Sequence, residues 1–331
     1  MLEQRERMAE NTMASIENTQ QVNCGHEYHC EFKGYPPTFV NSIRRILLSD
    51  IPTVVLRDVE ILENGTQIPH EMLKHRVEML PVNVSPADSN IIRDAKIELR
   101  ILPDPKERWI YTSDFVVTKG RETMLMGDRD TGAPLVFVKV RPNETLHIKA
   151  GLSIETKTAS QVCVSTLSYH IDPEIAQEER ELFIEDGGEP AVFDNFYIQR
   201  CYSKDDKGRP NWVDLNVESI GVIPARELVR MAGKLLKQKV SDYMEYAVSN
   251  IARHKDNEYS ISLQIGGHTE LAVLQEILYS DLNVNFVSYD IPHPLKSDTI
   301  VRFHTKSNPE TILKNAHARL DEYCDILEKS V

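Results

Sequence analysis

The stretch Pro36-Pro37-Thr38-Phe39-Val40-Asn41-Ser42-Ile43-Arg44-Arg45-Ile46-Leu47-Leu48-Ser49-Asp50-Ile51-Pro52 decides how the rest of the chain is read. A proline pair leads in, Thr38 is a candidate cap and Pro52 stops the run, so the spacing predicts one short helix. On a helical wheel Phe39, Ile43, Ile46 and Leu47 fall within about 100° of one another and form a core stripe. Asn41, Arg44, Arg45 and Leu48 fall on the opposite side. Guanidinium forks around an apolar anchor suit a docking surface for another chain. The plain alternative is a solvated Arg pair beside a lone exposed leucine.

The string Asn41-x-x-Arg44-Arg45-Ile46-Leu47-Leu48-Ser49-x-Ile51-Pro52 resembles the first helix of the α-like assembly subunits of multisubunit RNA polymerases. That family includes the bacterial α subunit, its larger archaeal counterpart and the third-largest subunit of eukaryotic polymerase II. A second string, Glu71-Met72-Leu73-Lys74-His75-Arg76 followed by Leu80-Pro81, resembles the family segment that carries an acidic residue and Leu-x-His-Arg. From its residues alone this is a short helix starting near Pro69 and stopped by Pro81, with His75 and Arg76 on its surface. The resemblance implies that Glu71, His75 and Arg76 belong to the assembly face.

Composition sets the outer bounds. The 331 residues are 41% hydrophobic, enough for two or three modules with real cores. A net charge of −13 argues against a main DNA-gripping surface, which needs clustered Lys and Arg. Five scattered cysteines fit a reducing compartment rather than a disulfide framework. No apolar run is long enough to span a membrane. The expectation is an intracellular protein, nuclear or, for a viral source, in host cytoplasm and virion.

In chain order, residues 1–21 read as a mobile polar tail. Val22 to Lys33 alternates as a half-buried strand, with Cys24, His26 and Cys30 on one face and His29 on the other. That geometry argues against zinc at these four residues. Thr53–Leu62 reads as a strand, and residues 83–170 as short strands punctuated by turns, a β-rich insert. Tyr111-Thr112-Ser113-Asp114 and Val140 to Leu146 resemble the family's inserted domain. The clustered cysteines that many relatives carry there are absent, leaving Cys163 alone. The His-Ala-Lys-Trp string expected after the last strand is replaced by Glu155 to Ser160. Residues 172–211 are acidic and read as a solvated, turn-rich loop.

Asn211 to Ser219 alternates as a strand, and a long amphipathic helix to about Asn250 carries Leu228, Met231 and Leu235 on its stripe. Val217-Glu218-Ser219-x-Gly221 before that helix resembles the end of the α-like dimerisation module. The chain continues with strand, helix (Leu271, Leu274, Leu278), two strands, and a final helix with Ile312, Ala316 and Leu320. The order, with Tyr289-x-Ile291-Pro292-His293-Pro294-Leu295, resembles the small α-like partner, known in archaea and as the eleventh subunit of eukaryotic polymerase II. His293 between Pro292 and Pro294 reads as a rigid structural turn rather than a catalytic base.

The resemblance therefore implies an α+β fold of two α-like dimerisation modules, each an antiparallel sheet with two helices, forming a pseudo-dimer with a β-rich insert in the first. The expected divisions are a tail over 1–21, the large module over 22–55 and 171–250, the insert over 56–170, a linker over 251–258 and the small module over 259–331. The implied function is a non-catalytic assembly platform, large and small partners fused, that docks the largest and second-largest polymerase subunits. Small zinc-binding subunits are implied neighbours, DNA contact is indirect, and no cofactor is expected on this chain. Mg²⁺ and Zn²⁺ would sit elsewhere in the complex. The divergent motifs point to a viral or otherwise divergent polymerase. Rival readings are a stand-alone enzyme using Cys163 or Cys201 with a histidine, and a nucleic-acid-binding module.

Overall fold

The computed structural model describes residues 14–158, 161–205, 208–293 and 295–331. Strand β1 (Ser15–Val22) pairs with β2 (Glu27–Lys33), and helix α1 spans Pro37–Ser49. The insert follows: β3 (Thr53–Asn64), α2 (His70–Glu78), α3 (Ser89–Asp94), β4 (Lys96–Ile101), β5 (Arg108–Tyr111), β6 (Val116–Thr118), β7 (Val136–Val140) and β8 (Leu146–Glu155). β9 (Cys163–Tyr169), α4 (Pro173–Glu185), β10 (Trp212–Ser219) and α5 (Ala225–Ser249) complete the first half. The second half is β11 (Ile251–Arg253), β12 (Glu258–Leu263), α6 (His268–Ser280), β13 (Val284–Asp290), β14 (Thr299–Thr305) and α7 (Pro309–Ser330).

Each half has an antiparallel sheet, ordered β1-β2-β10-β9 in the first and β11-β12-β14-β13 in the second. The insert has its own sheet, β3-β8-β4-β6, and the ribbon β5-β7. Alternation explains the first sheet: Tyr28, Cys30 and Phe32 of β2 lie opposite Val217, Leu215 and Val213 of β10, and all six are buried. No described helix is long and apolar enough to cross a membrane.

One apolar core runs through both halves. It holds Phe39, Ile43, Ile46, Leu47 and Leu228 of the first together with Leu271, Leu274, Leu278, Ile312, Ala316 and Leu320 of the second. At its centre Tyr35 stacks on Phe39 with ring centroids 5.2 Å apart, and Tyr323 of α7 closes on both at 5.2 and 5.6 Å. In this structure the two halves thus pair within one chain. On α5, Met231 and Leu235 are only partly buried, and Ala232 and Leu236 take the fully buried places. A Cβ on Gly233 would stand 2.8 Å from Leu327, so the small-residue seam Ala232-Gly233 lets α7 come close. A second core, including Leu56, Leu73, Val77, Leu99 and Ile148, belongs to the insert.

Several sequence expectations give way. The stretch expected as a tail ends in an edge strand, Ser15–Val22, and polar residues suit an edge whose outward groups meet water. The strand expected to begin at Val22 breaks at a tight turn over Asn23–Gly25, where Cys24 has φ 54° and faces solvent. β9, assigned to the insert, pairs with β10 in the first sheet. The linker expected over 251–258 contains β11, which hairpins onto β12 because Ile251 packs against the shared core. Thr38 is no cap: Pro36 holds the N-cap place without a side-chain bond, and the Thr38 hydroxyl donates to Glu276 of α6.

The largest correction is at 172–211. Asp172 caps α4, accepting from the backbone N–H groups of Glu174 and Ile175, with Pro173 in its first turn. Helical turns over 190–200 fold back so that Ala176, Phe193 and Cys201 form a small core with Ile175, Phe183 and Ile198. What reads as an acidic loop is a helical hairpin with its own apolar seam.

Candidate assembly interface

Helix α1 is buried along Phe39, Val40, Ile43, Ile46 and Leu47, and this anchoring aims its other side outward. Asn41 and Arg45 are exposed, while Arg44 and Leu48 are half-buried. The Asn41 Oδ1 accepts from Arg44 Nε and Nη2 at 3.2 and 3.0 Å, which orients that guanidinium. Arg45 Nε donates to Thr269 Oγ1 of α6 at 2.9 Å, so this arginine touches both halves. Neither guanidinium has a carboxylate partner among the described residues. Two uncompensated cations around a half-exposed leucine leave strong donors available to an acidic partner.

Helix α2 buries Leu73 and Val77 in the insert core and exposes Glu71, His75 and Arg76. The side chains of these three form no hydrogen bond or ion pair among the described residues. The sequence reading missed Met72 and Met79, which are 55% and 50% exposed and flank Arg76 on the helix surface. Their spacing of four and three residues from Arg76 was the available signal. No hydrogen bond or ion pair joins the α1 and α2 groups among the described residues. Helix α2 is instead tied to β3 and β8 by a polar lock: Arg57 of β3 grips Glu155 of β8 at 2.6 and 2.7 Å and reaches Glu78 of α2 at 3.5 Å. The hydrogen bond from Arg57 holds the Glu155 carboxyl below its usual range. The divergent segment begins at this lock; Ala159 and Ser160 lie outside the described residues.

The two halves are also tied by charge. Lys239 of α5 meets Asp50 at 2.5 Å and Glu270 of α6 at 3.2 Å. Burial opposes the ammonium charge, but the Asp50 hydrogen bond and the charge of Glu270 outweigh it and hold the Lys239 pKa above its usual value. Arg209 of the first half reaches Glu276 of α6 at 3.1 Å.

The remaining candidates sort plainly. His293 Nδ1 accepts from the backbone N–H of Leu295 at 3.1 Å, beside Pro292, and Pro294 lies outside the described residues. Cys163 is buried, and its thiol, at 3.0 Å from the Leu47 carbonyl oxygen, is pushed up to about 12 by burial. Cys201 is buried too, and desolvation with the Glu179 charge raises its pKa. Both environments disfavour a thiolate nucleophile.

Comparison with known proteins bears on the fold. The family described as RNA polymerase Rpb3/Rpb11 dimerisation domain matches residues 30–240, and a second model of the same description matches 258–330. The chain is 26% identical to DNA-directed RNA polymerase subunit Rpo3 of Pyrobaculum calidifontis, over 67% of this chain and 93% of that one. It is 37% identical to subunit Rpo11 of Korarchaeum cryptofilum, over 26% of this chain and 88% of that one. A conjugation stage-specific protein of Tetrahymena thermophila is 25% identical over 70% of this chain and 94% of its own. With two dimerisation domains in one α+β chain, the protein belongs to the Rpb3/Rpb11 dimerisation-domain family, the α-like subunits of DNA-directed RNA polymerase.

Proposed function

We propose that this chain is the assembly platform of a multisubunit DNA-directed RNA polymerase, a large and a small α-like subunit fused and paired within one polypeptide. The observation that carries this is the core shared by α1, α5, α6 and α7, with the uncompensated Arg44 and Arg45 on the far side of α1. Fusion makes the pairing step intramolecular, with an effective concentration of order mM. The largest and second-largest subunits dock on Asn41, Arg44, Arg45 and Leu48 and on Glu71, His75 and Arg76. Small zinc-binding subunits are neighbours, contact with DNA is indirect, and nucleotidyl transfer with its Mg²⁺ belongs to the two largest subunits. The protein works wherever that polymerase transcribes. The buried, high-pKa Cys163 and Cys201 speak against the stand-alone enzyme, and the charge of −13 against a direct nucleic-acid grip.

The test is Arg44→Glu with Arg45→Glu in tagged chain recovered from its native source. The expected result is loss of the co-purifying large chains with an unchanged melting temperature. Because Arg45 also bonds Thr269, Thr269→Val serves as the control and should leave recovery intact. Undiminished recovery of large chains with both arginines reversed would refute the docking face.

A further inference from the structure

The outer face of the first sheet holds a cluster that the polymerase reading does not use. Register places Asp214 of β10 directly opposite Glu31 of β2, and facing like charges destabilise an antiparallel pair. Glu31 is only 6% exposed. Among the described residues neither carboxylate has a Lys or Arg ion-pair partner; Lys33 sits over the Trp212 ring instead. His29 completes the group, so that one ligand atom each from His29, Glu31 and Asp214 lies within 4.8 Å of the others.

Each of the three is held by a second residue. His29 Nδ1 donates to Asn216 Oδ1 at 2.6 Å, and its Nε2 lies 3.8 Å from Glu31 Oε1. Trp212 Nε1 donates to Glu31 Oε2 at 3.1 Å. His170 Nδ1 donates to Asp214 Oδ1 at 2.8 Å, and its ring is stacked on Trp212 with centroids 4.0 Å apart. Outer partners that orient each donor in this way accompany metal ligands. A salt link that needs only opposite charge does not require them.

We propose that His29, Glu31 and Asp214 bind a divalent first-row transition cation of the zinc type, with Asn216, Trp212 and His170 as positioning residues. One imidazole and two carboxylates suit such an ion better than Mg²⁺ or Ca²⁺, which favour all-oxygen sets. Bonds of about 2.0–2.2 Å bring tetrahedral donors to about 3.4 Å of one another, so small side-chain rotations close the site. Two carboxylates neutralise the ion, and a fourth position stays open to water. The ion staples β2 to β10, the strands that flank the insert and the helical hairpin. This is a different site from the Cys24, His26, His29 and Cys30 grouping, because Cys30 is buried on the other face and Cys24 lies in the turn.

The full chain, stripped with chelator, is titrated with Zn²⁺ by calorimetry and with Co²⁺ by tryptophan fluorescence. Trp109→Phe leaves Trp212 as the reporter beside the site. The expected result is one saturable Zn²⁺ site and Co²⁺ quenching of Trp212. Asp214→Asn should abolish both, and Asn216→Ala should weaken Zn²⁺ binding about 10- to 100-fold. His29→Gln, a half-exposed position, keeps the test valid should Asp214→Asn fail to fold, and it should also abolish binding. No saturable binding by the folded chain, or binding that survives both Asp214→Asn and His29→Gln, overturns the site.

Discussion

Helices α1 and α6 hold corresponding places in the two halves, each following an inner strand of its sheet and each packed against the other. Their outer chemistry differs. α1 turns two guanidinium groups away from the core without a carboxylate to meet them. α6 contains no Lys or Arg, and its carboxylates point back into the first half: Glu270 to Lys239, Glu276 to Arg209 and Thr38. The α6 carboxylates hold the pair together, whereas the α1 guanidinium groups have no carboxylate partner among the described residues. The pseudo-dimer is symmetric in its apolar interior and asymmetric in its polar surface.

The interior is where this contrast breaks most severely. Phe39→Ala removes the fully buried ring packed against Tyr35 and Tyr323 and should cost about 3–5 kcal/mol. Hydrogen exchange should rise together in β2 and β14, because the core is common; a rise confined to the first half would show two separable cores. Lys239→Met should cost about 1–2 kcal/mol, less than a fully buried pair because the lysine is partly exposed. Its raised pKa means that the wild-type contribution is complete below the lysine's ordinary value of about 10.4 and is lost as pH rises through the folded value. Denaturant melts of wild type and variant should therefore differ at neutral pH and converge at strongly alkaline pH.

Glu155→Gln, outside the helix pair, should cost about 1 kcal/mol at neutral pH. With the carboxyl held low, that difference should vanish in acid, as pH falls from the ordinary value of about 4.3 through the folded one. Recovery of the large chains should then report whether the Arg57 lock shapes α2. The smallest effect is expected for Glu276→Gln, within about 1 kcal/mol and with large-chain recovery unchanged. Recovery lost as completely as with the two arginine reversals would place α6 on the docking face and end the asymmetry.

Much of this was legible because it is local. The Phe39-Ile43-Ile46-Leu47 stripe and its Arg44-Arg45 reverse follow from helical period alone, as does most of α7. On α5 the stripe holds at Leu228 but is one residue off at Met231 and Leu235, which outrank Ala232 and Gly233 in hydrophobicity while the tight crossing favours the small residues. α4 announced itself through Asp172-Pro173 and through Ile175, Ala176 and Phe183 at helical spacing; the density of carboxylates masked it. β1 is polar because it is an edge, so alternation could not reveal it. The pairing of Glu31 with Asp214 depends on register between strands far apart in sequence, which no single-chain pattern encodes.

That separation also sets an order of events during synthesis. β2 cannot complete its sheet until β10 leaves the ribosome, whereas β3 to β8 contain every strand of the insert and can close earlier. The apolar side of α1 must then wait longer still, for α6 and α7 at the end of the same chain. At about 5–20 residues per second the delay is of order seconds to tens of seconds. A separate partner chain would prolong that exposure by a diffusional search; a tethered one ends it on a schedule fixed by translation.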